Sequence, residues 1–332
     1  MRHLIRRFVF YAFAVWVAVT LDFFIPRLAP GDPVAAIVGK MSLKGHVTPQ
    51  IRATLAAMFG LDTRDPLWVQ YFKYLGNLLH GNFGNSLQYF PTPVSQIIAQ
   101  NIWWSVMLGG VAVLISFVLG CFIGIITAWK RGTALDTFLS PVMNFLSAIP
   151  YFWLALLSIY VFAYSLNWFP LSGGYDEANI SPDLSFEFIS SVVYYAFLPA
   201  LTLVVSSLAG WMLTMRNSML TTLSEDYVLM ARAKGLKERR VMFWYAARNA
   251  VLPNITGFAI AFGAIVGGQL LTEMVFSYPG IGYALLQAVT GQDYALVQSI
   301  FLIITLAVLG ANFLADMLYT FLDPRVRQER SI

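Results

Sequence analysis

Residues 224–253 read SEDYVLMARAKGLKERRVMFWYAARNAVLP, from Ser224 to Pro253. The stretch is charged and helix-forming, has one glycine at its centre, Gly235, and lies between two long apolar segments. A mostly apolar chain has placed its densest charge in one internal loop. Ser224 is a candidate N-cap, and Glu225 and Asp226 fall where acids complement the positive end of a helix dipole. The first helix is expected to run through Ala231, Arg232, Ala233 and Lys234 and to pause at Gly235. A second is expected to begin near Lys237, with Val241, Trp244, Tyr245 and Arg248 on one side, and to run towards Pro253. Two short helices meeting at a glycine make a knob suited to a groove in another protein. A merely solvated basic loop explains the charge, but not Trp244, Tyr245 or the break at Gly235.

The rest of the chain says where such a loop sits. Of 332 residues, 58% are hydrophobic and only 11% charged, against about 25% charged in soluble domains. That composition belongs in a bilayer. The net charge of +4 does not point to nucleic acid, because Lys and Arg flank apolar spans instead of forming one basic face. The single cysteine, Cys121, lies in an apolar run and has no partner for an internal disulfide. The histidines His3, His46 and His80 are scattered without helical ligand spacing, so no metal site is expected.

A spanning helix needs about 20 mostly apolar residues. Six segments qualify: 8–26, 103–128, 138–165, 192–215, 255–275 and 300–321. The expected fold is an all-α membrane protein with six transmembrane helices and an outer segment between spans one and two. Fifteen of the 21 Lys and Arg residues fall on one side if the spans alternate: at the start, at Lys130 and Arg131, across 216–254, and in the 323–332 tail. The opposite loops, 166–191 and 276–299, hold no Lys or Arg but carry Asp176, Glu177, Asp183, Glu187 and Asp293. By the positive-inside rule both termini are cytoplasmic. The chain then divides into residues 1–26, the N-terminus and first span; 27–100, an extracytoplasmic segment; 101–322, the core with its loop at 216–254; and 323–332, a cytoplasmic tail. A cleaved signal peptide is the alternative for the first span. The long apolar run and the lack of a small-x-small site after it favour a retained span.

Within the outer segment, 40–60 is expected to form a short helix. Residues 67–79 repeat apolar residues at helical spacing and are expected to lie on the membrane surface or pack on the spans. Pro141, Pro150 and Pro199 favour kinks. Gly120-x-x-x-Gly124 and Gly263-x-x-x-Gly267 permit close helix approach, serving either bundle packing or a partner interface. Asp22, Glu273 and Asp316 are the acids read within the spans, Asp22 and Glu273 near outer ends where headgroups and water relieve them. No chain of acids at mid-depth supports a proton relay.

At the loop, the chain resembles the membrane subunits of ATP-binding cassette importers. Their cytoplasmic signature has an acidic-Ala-Ala start, a glycine four positions after the second Ala, and a closing Leu-Pro. Ala231, Gly235 and Leu252-Pro253 take those places, while Leu229 stands at the acidic position and the run to Pro253 is longer. Both departures resemble the dipeptide/oligopeptide permease branch, with its Glu-Asp-Tyr start, here Glu225-Asp226-Tyr227, and its Ala-Arg-Ala-Lys-Gly core, here Ala231–Gly235. The likeness continues in 27–33 (RLAPGDP), Gly60-Leu61-Asp62, 81–86 (GNFGNS), 276–282 (FSYPGIG) and Leu322-Asp323-Pro324-Arg325. It is similar to the subunit of the pair with the large outer segment.

The resemblance implies a type I importer permease fold and a half-pore in a prokaryotic inner membrane. Its partners would be a second homologous permease subunit, two cytoplasmic ATPases and an extracytoplasmic substrate-binding protein. It places the ATPase contact on Glu225, Asp226, Tyr227, Ala231, Arg232, Ala233, Lys234, Gly235, Leu236, Arg239, Arg240, Arg248, Leu252 and Pro253. Arg232, Lys234, Arg239 and Arg240 would pair with acids of an ATPase or with anionic lipid. No cofactor is expected in this chain; ATP and Mg would bind the partner ATPases. The only Gly-Lys pair, Gly39-Lys40, is followed by Met41, and Val34 stands where a phosphate loop needs its first glycine. The expected cargo is short peptides, with oligosaccharides, nickel complexes or glutathione as alternatives. Trp103, Trp104, Tyr151, Trp153 and Trp168 either stack on sugars or form interface belts. A stand-alone secondary carrier is the rival of another class. It predicts ion-driven uptake by this chain alone.

Overall fold

The computed structural model describes residues 2–28 and 65–322. The readings at 40–60, at Gly60-Leu61-Asp62, across most of 27–33 and in the 323–332 tail lie outside the described residues. Helices carry the fold: α1 (Arg2–Leu28), α2 (Leu67–Leu79), α3 (Val94–Trp129), α4 (Ala134–Ala148), α5 (Tyr151–Ser158) and α6 (Phe186–Thr222). Then follow α7 (Asp226–Ala233), α8 (Glu238–Arg240), α9 (Arg248–Ala250), α10 (Leu252–Gly263), α11 (Ile265–Gly268), α12 (Leu270–Val275), α13 (Ile281–Thr290) and α14 (Tyr294–Leu322). Two π-helical stretches, Ile159–Ser165 and Val241–Ala247, extend α5 and join α8 to α9.

Among the described residues, four helices are long and apolar enough to cross a membrane: α1 over Arg6–Phe24, α3, α6, and α14 over Tyr294–Met317. Two bent pairs bring the number to six if each is one span: α4 with the α5 stretch, and α10 with α11–α12. At about 1.5 Å per residue, the 36 residues of α3 reach roughly 54 Å. That exceeds an apolar slab of about 30 Å, so α3 projects beyond it.

The segment read as the third span, 138–165, carries a bend at its proline, and a sharp one. The chain bends there by 93° between Ala148 and Tyr151. Pro150 has no N–H to give and pushes its predecessor out of the helical region, and Ile149 is extended at φ −82°, ψ 123°. Pro141 and Pro199, in contrast, stay inside α4 and α6.

The chain forms two compact units, one of Met1–Trp104 with Pro279–Leu309, the other of Ser105–Tyr278 with Gly310–Ile332. In the first, the expected helix at 67–79 is found, and it packs on α1. The Tyr74 hydroxyl donates to the Asp22 carboxylate at 2.9 Å, and the Tyr71 hydroxyl lies 2.8 Å from that of Thr20. Asp293, read only as an outer-loop acid, is fully buried. Its carboxylate accepts from the Ser86 hydroxyl and from the backbone N–H groups of Leu87 and Gln88 at 2.9 and 3.1 Å, and it caps α14 through Leu296 N–H. One acid thus closes the 81–93 loop onto the start of a helix.

In the second unit, small residues bring helices together. A side chain at Gly120 would meet the Trp211 Cβ at 2.5 Å, and one at Gly124 the Met212 carbonyl at 2.6 Å. Gly263 lies against Ala311 in the same way. Gly120, Gly124 and Gly263 therefore serve packing inside the chain. Cys121 is buried and accepts from the Asn254 amide at 3.0 Å. Glu273 is 1% exposed, so burial in protein, not headgroup water, surrounds it; that expectation is corrected.

Candidate functional site

The 216–254 loop folds as short helical pieces joined by hydrogen-bonded turns. Ser224 does not cap α7. Its hydroxyl donates back to the Thr221 carbonyl at 2.7 Å, closing α6, and Glu225 occupies the cap position. The reason is local: Ser224 lies two residues past the end of α6, within reach of the Thr221 carbonyl, which also accepts from the Ser224 N–H at 3.3 Å. Asp226 stands in the first turn of α7, as the dipole argument expects.

The stop at Gly235 is a hydrogen-bonded reversal. Gly235 has φ +73°, a left-handed conformation that glycine adopts without Cβ strain. Its N–H donates to Arg232 O at 2.9 Å, and Leu236 N–H reaches Ala231 O at 3.4 Å. Those two bonds satisfy the last carbonyls of α7 in a Schellman arrangement. Lys237 then caps α8, where the second helix was expected to begin.

Beyond Arg240 the expected facing fails. Val241 is buried, whereas Trp244 is 70% exposed and Arg248 also faces out. The spacing argument assumed 3.6 residues per turn, but Val241–Ala247 is π-helical. Wider turns put Val241 over Ala246 and Ala247 instead. These three join Ala250, Val228 and Ala231 in a core completed by Cys121, Ile125 and Ala128 of α3 and Met215 and Met219 of α6. The Arg232 guanidinium adds a contact over the Trp129 ring at 4.9 Å. The loop is therefore seated on two membrane-length helices.

Of the residues singled out for coupling, Ala231 is buried and Leu236 half-buried as anchors. Glu225, Asp226, Tyr227, Arg232, Ala233, Lys234, Gly235, Arg239, Arg240, Arg248, Leu252 and Pro253 are exposed. The outward face is not simply a knob. It carries an open groove of about 1020 Å³ whose charged walls are all cationic, from Lys237, Arg239, Arg240 and Arg248. Tyr227, Phe243, Trp244 and Tyr245 supply aromatic surface, and Asn249 donates to the Tyr227 hydroxyl at 2.8 Å to tie the two sides together.

The sequence reading missed a second anchor. Asp136, in the first turn of α4, accepts two bonds from Arg216 of α6, at 2.7 Å from Nε and 3.0 Å from Nη2. Gly132 N–H and the Ser140 hydroxyl complete its shell at 3.1 and 2.9 Å. The pair ties the turn before α4 to the helix that leads into the loop. Its one sequence signal is an acid five positions after the basic pair Lys130-Arg131. Among the described residues, no group of three His, Cys, Asp or Glu side chains is arranged to hold a metal.

Residues 120–328 match the family described as the binding-protein-dependent transport system inner membrane component. The chain belongs to that family. The permease is 36% identical over 330 residues to the di/tripeptide transport system permease protein DppB of Pseudomonas aeruginosa, covering 93% of this chain and 94% of that one. It is 32% identical over 306 residues to the oligopeptide transport system permease protein AppB of Bacillus subtilis, covering 92% and 93%. In fold it resembles a chain of the inward-facing MetNI methionine ABC transporter, with a TM-score of 0.53 and 15% identity over 69% of the permease and 97% of that chain. The type I importer permease fold is thus the fold of this permease, a multi-pass inner-membrane component.

Proposed function

We propose that this permease is one half of the translocation path of an ATP-driven importer of short peptides, and that its 216–254 loop seats a cytoplasmic ATPase. The cationic groove, held by one core to both α3 and α6, carries this reading. A force delivered to a loop that shares a core with two long helices moves those helices, whereas a loop on a flexible tether would absorb it. Arg239, Arg240 and Arg248 pair with acids of the ATPase, and Trp244 and Tyr227 fill its apolar surface. ATP and Mg bind the ATPases, and hydrolysis occurs there. This chain transmits closure and lines the path.

A second homologous permease completes the pore, two ATPases drive it, and an outer binding protein delivers cargo. Both termini and the loop lie in the cytoplasm, as the concentration of Lys and Arg on that side supports. Peptide cargo is supported by relatives named as di/tripeptide and oligopeptide permeases that align over nearly the whole chain. The test is to purify the assembled complex, reconstitute it, and add its binding protein with peptides or with oligosaccharides. Peptide-stimulated ATP hydrolysis and peptide uptake are expected. Stimulation by oligosaccharide alone, or by neither, overturns the peptide assignment; ion-driven uptake by this chain alone overturns the importer.

A further inference from the structure

Helix α2 turns two different apolar faces outward, and packing within the first unit uses one of them. Tyr71 and Tyr74 meet Thr20 and Asp22 by their hydroxyls and flank the buried Phe23 ring at centroid distances of 5.2 and 5.5 Å. The second face runs through Trp68, Phe72, Leu75 and Leu79. With 3.6 residues per turn, steps of four, three and four make one continuous stripe, turned about a quarter-turn from the tyrosines. Trp68, Phe72 and Leu79 are 66%, 65% and 88% exposed. Lys73 and Asn77 occupy the far side, Lys73 paired with Asp65.

Its level in the fold identifies what covers the stripe. The contacts with α1 fall at Thr20–Phe23, the last turn of the apolar span Arg6–Phe24. A helix fixed there lies where a bilayer gives way to water. On α1, Leu21 and Phe24 are also exposed and continue the apolar surface towards exposed Trp16 and Phe13. Indole and phenyl groups favour that boundary, and a polar edge with a lysine favours the water above it.

We infer that α2 is an interfacial helix of the outer leaflet, held on one side by α1 and immersed on the other through Trp68, Phe72 and Leu79. It holds residues 67–79 at headgroup level and resists vertical movement of α1. The inference rests on α1 being a membrane span; it is independent of cargo and of the ATPase contact.

The test uses the full chain reconstituted in phosphatidylethanolamine–phosphatidylglycerol vesicles. Spin labels are placed singly at Trp68→Cys, Phe72→Cys, Leu79→Cys, Lys73→Cys, Asn77→Cys and, in mid-span, Phe13→Cys. Cys121 is buried, so the unsubstituted chain serves as the labelling background. Collision with oxygen and with a water-soluble nickel chelate is then measured. Labels at 68, 72 and 79 are expected to show an oxygen-to-nickel ratio several-fold above those at 73 and 77, at depths of about 5–10 Å below the headgroups. Phe13→Cys should be richer in oxygen still. Nickel access at 68, 72 and 79 equal to that at 73 and 77 overturns the inference while leaving the span intact. Labels there shielded from both reagents also overturn it, in favour of a protein partner. Nickel access at position 13 removes the span on which it rests.

Discussion

Arg216→Met removes the guanidinium from an almost wholly buried carboxylate. Asp136 would keep the Gly132 N–H and the Ser140 hydroxyl, so two of its four donor contacts survive. Breaking a buried ion pair by removing one partner costs about 3–5 kcal/mol. The surviving donors and the Arg216 side chain's 18% exposure place the loss at the low end, about 3 kcal/mol. That is a shift of roughly a hundredfold in the folding equilibrium. Asp136→Asn keeps the shape but strands the guanidinium, at about 2 kcal/mol. The double variant buries no uncompensated charge, so its loss should be smaller than the sum by about 2 kcal/mol. Unfolding of the purified chain by SDS in mixed micelles, followed by circular dichroism, reads all four proteins. Additive losses, or single variants within about 0.5 kcal/mol of the parent, refute the reasoning that this pair fastens α4 to α6.

Other consequences follow from single positions. Gly235→Pro forces φ to about −65° where +73° is needed and deletes the N–H bonded to Arg232; membrane insertion should persist while ATPase association, read by co-purification, is lost. Gly124→Val drives a side chain into the Met212 carbonyl and should cost at least about 1–3 kcal/mol in the same SDS titration. Gly210→Ala, with nothing within 4 Å, should be neutral or stabilise by up to about 1 kcal/mol. Asp293→Ala frees Ser86, Leu87 and Gln88 together and should speed limited proteolysis within 81–93 several-fold.

The legible parts of this fold are those written in local period and charge. Residues 67–79 announce a helix by their spacing, and the six apolar segments reappear as four long helices and two bent pairs. Gly235 was readable because a left-handed stop after a helix selects glycine. Pro150 was readable as a break but not as a right angle, since the packing of α5 on α6 and α12 sets the direction. Val241 was misplaced because a π-helical turn changes the period without a composition signal. Asp136 and Arg216 stand 80 positions apart, and nothing local in either names the other. The cationic groove was half legible: its arginines and aromatics were visible, but their closure into one concavity needs the π turn.

If the face of the 216–254 loop meets an ATPase and this contact drives the path, residues on that face lie against the ATPase in the complex. A photo-crosslinking residue placed at Met230 or Trp244, with the 94% exposed Leu184 of the 166–191 loop as control, tests this in the assembled complex. Positions 230 and 244 are expected to cross-link to an ATP-hydrolysing subunit, and position 184 is not. Cross-links to lipid alone at 230 and 244, or to the ATPase from 184, would contradict it.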